Sequence, residues 1–202
     1  IDKFGADSVG FYVSGQLLTE EYYIVNKLVK GFIGTNNIDT NSRLCMSSAV
    51  VAYKKSLGED IVPVCYDDIE HADCIVMAGA NPAWCHPILY RRMSAQKLLN
   101  PHIKWVVIDP RQTASTQMAD IHLQIIPGTD IYVFHAIARY LIEHDKIDKT
   151  YIDAHLNGFD ELRTQVMRMS MDDYAHAAGV AVADIIQVAQ WIGDAQGFLS
   201  MR

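Results

Sequence analysis

Three short apolar runs constrain the fold of this chain more than any other feature. Cys74 to Ala78 reads CIVMA, Trp105 to Ile108 reads WVVI, and Ile121 to Ile126 is a third run of the same kind. The first two do not alternate apolar with polar residues, so as strands they must be covered on both faces. Between and after the runs lie helix-length segments, Ile88 to Leu99 and the strongly apolar Ile131 to Glu143. Buried strands separated by helices predict an α/β fold with a mostly parallel sheet flanked by helices.

The same reading extends to the ends of the chain. Ser8 to Val13 is expected as a strand, followed by a tight loop at Ser14-Gly15-Gln16. A helix follows with Thr19 as N-cap and acids in its first turn, running to about Val29 and stopping at Gly31. Gly34 to Arg43 is polar and reads as a loop, and Leu44 to Leu57 as a helix ending at Gly58. Lys149 to Leu156, Asp160 to Met169, Asp172 to Ala178 and Ala183 to Ile192 read as helices, with breaks at Ser170 and Gly179. A soft boundary near Gly58 to Pro63 divides residues 1–58 from residues 59–202. Ile1 in place of a methionine, and a strand just beginning at Phe198, give both ends a cut look. An internal piece of a larger protein is expected, the alternative being a processed domain with ragged ends.

Composition narrows the class. Half of the 202 residues are hydrophobic and 20% are charged, so a disordered chain is not expected. The formal net charge is −7, which disfavours nucleic acid as a partner and leaves any anionic cofactor to be held by local donors. No apolar run approaches the roughly 18 residues that a membrane-spanning helix needs. Cys45, Cys65, Cys74 and Cys85 form no C-x-x-C pair, so neither a zinc knuckle nor an iron–sulfur ligand set is expected within the chain. Cys74 reads as core, and the spacing does not resemble a secreted disulfide framework, which favours a reducing compartment.

Candidate chemistry gathers where the strands end, since open α/β sheets bind ligands beyond their carboxyl ends. After the first run, Gly79 permits close backbone approach, Asn81 offers donor and acceptor, and Pro82 fixes the turn. After the second, Asp109 can accept from a ribose diol and Arg111 can pair with a phosphate. After the third, Asp130 can accept two N–H bonds from a guanine edge. Taken singly, each is more often plain turn chemistry than a ligand contact; the three in succession weigh evenly between turns and a nucleotide-like cleft. The G-x-G-x-x-G fingerprint is absent, which argues against an ordinary NAD site. Cys45 lies near the start of a helix, where thiolates are favoured, and a thiolate suits a soft or high-valent metal. The alternative is a small buried hydrophobe. His71, His86, His102, His122 and His135 show no ligand spacing, although His86 closely follows the Asn81 turn.

Six segments together resemble the molybdopterin oxidoreductases that carry a bis-(molybdopterin guanine dinucleotide) cofactor. They are SGQLLTEEYY (Ser14 to Tyr23), TNNIDTNSRLCMSSA (Thr35 to Ala49), GANPAWCHP (Gly79 to Pro87), IDPRQT (Ile108 to Thr113), MADIHL (Met118 to Leu123) and PGTD (Pro127 to Asp130). The set, in this order, covers essentially the whole chain. NNIDTNSRLCMSS looks most like the assimilatory nitrate reductase branch, and periplasmic nitrate reductases carry a similar loop that also ends in Cys-Met. Formate dehydrogenases usually place His where Met46 stands, and the DMSO reductase branch generally uses Ser where Cys45 stands.

The resemblance implies a Rossmann-like fold of the formate dehydrogenase/DMSO reductase type. Residues 1–58 would belong to the molybdenum-proximal domain and residues 59–202 to the dinucleotide-binding domain with a helical C-terminal portion. It implies Cys45 as molybdenum ligand, and Gln16 and Asn41 as pterin contacts. It also implies three cofactor loops: Ala78, Gly79, Ala80, Asn81, Pro82, Ala83, Trp84 and Cys85; then Asp109, Pro110, Arg111, Gln112 and Thr113; then Gly128, Thr129 and Asp130. The implied activity is two-electron reduction of nitrate to nitrite in the cytoplasm, for nitrate assimilation. Electrons would come from a donor protein or reductase subunit through a 4Fe-4S cluster outside this chain. A formate dehydrogenase and a cofactor-free structural subunit are the competing readings, and the 202 residues alone are expected to be inactive.

Overall fold

The computed structural model describes residues 1–201, which divide into two compact units, Ile1–Pro63 and Val64 onward. In the first unit, β1 (Phe11–Val13) is followed by α1 (Thr19–Asn26), which continues as wider π-type turns over Lys27–Ile33. β2 (Ile38–Thr40) and α2 (Ser42–Leu57) complete it. β1 and β2 pair in parallel, Phe11 opposite Ile38 and Val13 opposite Thr40. Thr35 ties the opening turn to this pair, its Oγ1 donating to Asp7 at 2.6 Å. Only Val29 and Thr35 are buried among these residues, and Phe32 and Leu44 lie largely on the surface.

Three expectations need correction here. The strand expected over Ser8 to Val13 begins only at Phe11, because Ala6–Ser8 form a 3-10 turn in which Ser8 Oγ donates to the Gly5 carbonyl at 2.7 Å. The expected loop over Gly34 to Arg43 contains β2, whose three residues are too few to show a period. Thr19 is the first helical residue rather than the N-cap. Leu18 takes that place, and its free N–H donates to the Glu21 carboxylate at 2.9 Å, half of a capping box.

The second unit is a four-stranded, wholly parallel sheet. After the short α3 (Asp68–His71) come β3 (Cys74–Ala78), α4 (Pro82–Cys85), α5 (Pro87–Leu99), β4 (Lys104–Ile108) and β5 (Ile121–Leu123). Then follow α6 (Asp130–Glu143), α7 (Lys149–His155), α8 (Phe159–Val166), α9 (Met171–Ala178), α10 (Val182–Asp194) and β6 (Phe198–Met201). The strand order is β5-β4-β3-β6. Helices cover both faces, as the unbroken apolar strands require. Cys74, Val76, Val106, Ile108 and Leu123 pack with α6, α9 and α10, while Ile75, Met77, Trp105 and Val107 pack with Ile69 of α3 and Met93 of α5.

β5 is shorter than the expected Ile121 to Ile126. After Leu123 the chain turns, Ile125 N–H bonding to the Leu123 carbonyl at 3.0 Å, and Ile126 N–H leaves the sheet for the Ala178 carbonyl at the end of α9. The breaks read at Ser170 and Gly179 become specific devices. Ser170 caps α9 through Asp173, with each side chain bonded to the other's backbone N–H. Gly179 ends α9 at φ +75°, in the left-handed region where glycine has no steric cost. Among the described residues no single helix is long and apolar enough to cross a membrane.

Candidate functional site

In the first unit the parallel pairing of β1 and β2 sets their carboxyl ends side by side, and the residues singled out from sequence follow directly. Asn41 stands at the start of α2 in helical conformation, and its side chain does not cap that helix. Its Oδ1 accepts instead from the Gly15 N–H, joining the loop after β1 to the helix after β2. The contact is close enough that a Cβ on Gly15 would collide with Ser42 Oγ and lie 3.0 Å from Asn41 Oδ1. Cys45 sits in the first turn of α2, its N–H donating to the Asn41 carbonyl at 3.1 Å. Cys45, Gln16 and Asn41 are all exposed. Close by, Asp39 is held below the usual carboxylate range, first by the Thr40 N–H and then by Arg43. No cluster of three or more His, Cys, Asp or Glu side chains suited to a metal exists among the described residues.

In the second unit the three expected segments follow the carboxyl ends of β3, β4 and β5. Gly79 has φ +64°, with open space where a Cβ would stand, and its N–H still reaches the Ile108 carbonyl at 2.9 Å. Pro82 opens α4, where its missing N–H costs nothing. Asp109, only 6% exposed, accepts the Arg111 N–H on Oδ1 at 2.7 Å, an Asx turn that leaves its second oxygen unengaged. Its carbonyl bonds His122 Nε2 at 2.9 Å. Pro110 accepts from Gln124 at 3.1 Å, and Gln112 is exposed. Gly128, at φ +82° with open space beside it, and Thr129, whose Oγ1 donates to the Ile126 carbonyl at 2.6 Å, lead into Asp130. Asp130 is exposed at the first turn of α6.

The first two loops are tied together. Asn81 Oδ1 accepts from both Thr113 Oγ1, at 3.2 Å, and Ser115 Oγ. Ser115 Oγ in turn accepts the Ala83 N–H at 3.1 Å, and Tyr90 Oη donates to the Ala114 carbonyl at 3.1 Å. Outside this knot, the Arg111 guanidinium lies 6.0 Å from the centre of the exposed Trp84 ring, within cation–π range. Cys85 and His86 are exposed, and His86 makes no capping bond at the start of α5. Asn81 Nδ2 is buried without a hydrogen-bond partner.

Sequence reasoning reached Asn81 and Thr113 but missed Ser115, which is completely buried. The one signal available was the run of hydroxyls Thr113, Ser115 and Thr116 just past Asp109-Pro110-Arg111. Cys74, read as core, is indeed buried, and burial followed by the charges of Asp73 and Asp120 pushes its thiol up to about 11.

The chain runs from β3 outward through β4 to β5, then returns to the other side of β3 as β6. The strand order reverses between β3 and β6, which is where open α/β sheets place their ligand crevice. A half-open cavity of about 490 Å3 lies there, with Ala78, Phe134, Ile137 and Asp130 among its walls. This is the layout of an open parallel α/β sheet with a crevice at its switch point, without the glycine fingerprint.

Comparison with known proteins gives the class its name: the chain matches the molybdopterin oxidoreductase family over residues 1–194 and belongs to it. It is 49% identical to a nitrate reductase of Shewanella frigidimarina, over 96% of the chain and 21% of that protein. It is 42% identical to a periplasmic nitrate reductase of Desulfovibrio desulfuricans, over 79% of the chain and 21% of the relative. An assimilatory nitrate reductase of Haloferax mediterranei is 38% identical over 91% of the chain and 25% of its own length. The chain thus spans about a fifth to a quarter of the length of these relatives. In fold it is similar to acetylene hydratase from Pelobacter acetylenicus, with TM-score 0.75 and 22% identity over all of this chain and 27% of that one. The expected α/β fold with a parallel sheet between helices is thereby borne out.

Proposed function

We propose that this chain is the part of a nitrate reductase that presents a thiolate to molybdenum and cradles the guanine dinucleotide arms of its cofactor. The observation that carries the substrate is the 49% identity to a nitrate reductase over 96% of the chain. The cofactor reading is supported from the residues themselves. Asn81 Nδ2 is a buried donor lacking an acceptor, and such groups in native folds are nearly always paired. The left-handed Gly79 and Gly128 leave backbone open at two of the three strand-end loops.

In this reading residues 1–58 form the metal-proximal part and residues 59–202 the dinucleotide-binding part. Cys45 is the protein's ligand to the metal, and Gln16 and Asn41 contact the pterin beside it. The loop Ala78–Cys85 approaches the pyrophosphate with backbone, and Arg111 supplies the charge-assisted donor that an overall −7 chain needs locally. The second oxygen of Asp109 accepts from a ribose hydroxyl, since the first is engaged by Arg111 N–H. Both oxygens of Asp130 are free to accept a guanine edge. When bound, the cofactor supplies the two-electron redox chemistry, and the protein supplies placement, ligation and a shaped electrostatic surround.

Bis-(molybdopterin guanine dinucleotide) is the cofactor form proposed, with a 4Fe-4S cluster elsewhere in the intact protein passing electrons from a donor protein or reductase subunit. The assimilatory, cytoplasmic branch is favoured by the NNIDTNSRLCMSS segment. The free state of all four cysteines fits a reducing compartment.

The test is nitrate-dependent oxidation of reduced viologen by the intact protein, with formate as the control. Turnover with nitrate, abolished by Cys45→Ala, is the expected result. Turnover with formate alone would move the protein to the dehydrogenase branch. Full activity of Cys45→Ala with normal molybdenum content would remove Cys45 from the metal.

A further inference from the structure

We propose that Ser115, acting with Thr113, is a positioning residue of the cradle: the two hydroxyls hold the Asn81 carboxamide in one orientation, so that its amino group meets the bound cofactor. The inference rests on the dinucleotide-cradle reading above and adds to it a residue that none of the recognised loop segments contains.

The hydrogen assignments follow from counting. A hydroxyl has one hydrogen to give. Ser115 Oγ already accepts from Ala83 N–H, and Thr113 Oγ1 already accepts from Ser115 N–H at 3.2 Å. Each hydroxyl keeps its own hydrogen to give, and the acceptor that both meet is Asn81 Oδ1, whose two lone pairs they fill. Turning the amide over would set an amino group against these hydroxyls and strand both hydrogens beside a residue that is fully buried. Unmade bonds of this kind are expensive, so the oxygen faces the hydroxyls and Nδ2 faces away with two hydrogens and no protein acceptor.

The same bonds couple the loops after β3 and β4. Asn81 and Ala83 belong to the first and Thr113 and Ser115 to the second, so the two loops hold a fixed separation before any ligand arrives. A preorganised donor loses less on binding than one that must be turned into place. An acceptor on the cofactor completes Nδ2, and the pair of hydroxyls determines that Asn81 offers a donor there rather than an acceptor.

The experiment uses the intact, cofactor-loaded protein and measures guanine nucleotide released by acid hydrolysis, per chain, after timed dialysis. Melting temperature is recorded in parallel. Thr113→Val keeps the side-chain volume and removes the hydroxyl; Thr113→Ser keeps the hydroxyl; Ser115→Ala removes the second donor. Thr113→Val and Ser115→Ala are expected to lose nucleotide about tenfold faster than wild type, and Thr113→Ser to match it. Retention by folded Thr113→Val equal to that of wild type would overturn the proposal, as would loss that merely follows melting temperature across all three variants. Should Ser115→Ala fail to fold, Ser115→Cys takes its place in the same comparison, and retention equal to that of wild type by the folded variant overturns the proposal. A wild-type protein without guanine nucleotide would instead overturn the cradle reading, and this inference with it.

Discussion

At Gly15 the absence of a side chain is itself a structural requirement. Its backbone lies against Ser42, Asn41 and Thr40, and its N–H is held by Asn41. Gly15→Ala should force the loop after β1 away from the start of α2 and release Asn41. The expected cost is about 1–3 kcal/mol, read as a lower melting temperature, with reduced molybdenum content in the intact protein. Gly15 could be read from sequence only as a turn residue, because its crowding comes from residues more than twenty positions away. The same holds at the second site. Asn81, Asp109 and Asp130 were legible because strand-end position is visible in an apolar pattern. Ser115 was not, since its partner is 34 residues back and only the folded loops bring them together.

Among the elements, unbroken apolar runs and the helices between them were readable, and three-residue strands were not. β3, β4, α5 and α6 lie within a residue of where apolar runs place them. β2 went unseen because three residues carry no period, and β5 was drawn too long because Ile125 is buried like a strand residue while its N–H is turned back to Leu123. Hydrophobicity reports burial, not hydrogen-bond partner. The boundaries of α9 offer a direct test. Ser170→Ala removes its reciprocal cap and is expected to cost ~1 kcal/mol. Gly179→Ala imposes a side chain at φ +75° and brings a Cβ to 2.8 Å from Ile126, with an expected cost of about 1–2 kcal/mol from the backbone alone. Thermal unfolding of the two variants and their double mutant measures both, and the effects should nearly add, because cap and stop share no partner.

For the whole molecule, stability should be lost at both ends of the pH scale for identifiable reasons. Glu70 is held below its usual value by Arg92, and Asp173 by Ser170. Their contribution is complete above the ordinary carboxylate range and disappears as pH falls through the lowered values. Cys74 behaves in the opposite sense. Its thiol is raised to about 11 from 9.0, so its contribution is complete below 9.0 and is lost as pH rises towards 11. Melting temperature against pH should therefore fall on both sides. Glu70→Gln should flatten the acid limb and Cys74→Ala the alkaline one. An acid limb unchanged by Glu70→Gln would show that the Arg92 pair is not what titrates there.

The return of the chain to the far side of β3 also orders events in time. β3, β4 and β5 follow one another closely in sequence, whereas the bonds that seat β6, such as Gly197 N–H to Asp73, close a loop of 124 residues. Contacts between distant parts of a chain are the slow ones to make. During synthesis, three strands and the two loops knotted at Ser115 can assemble as soon as they leave the ribosome, while the crevice between β3 and β6 has only one wall. That crevice is expected to stay open to solvent until Phe198–Met201 docks, which makes it the last part of the sheet to be finished.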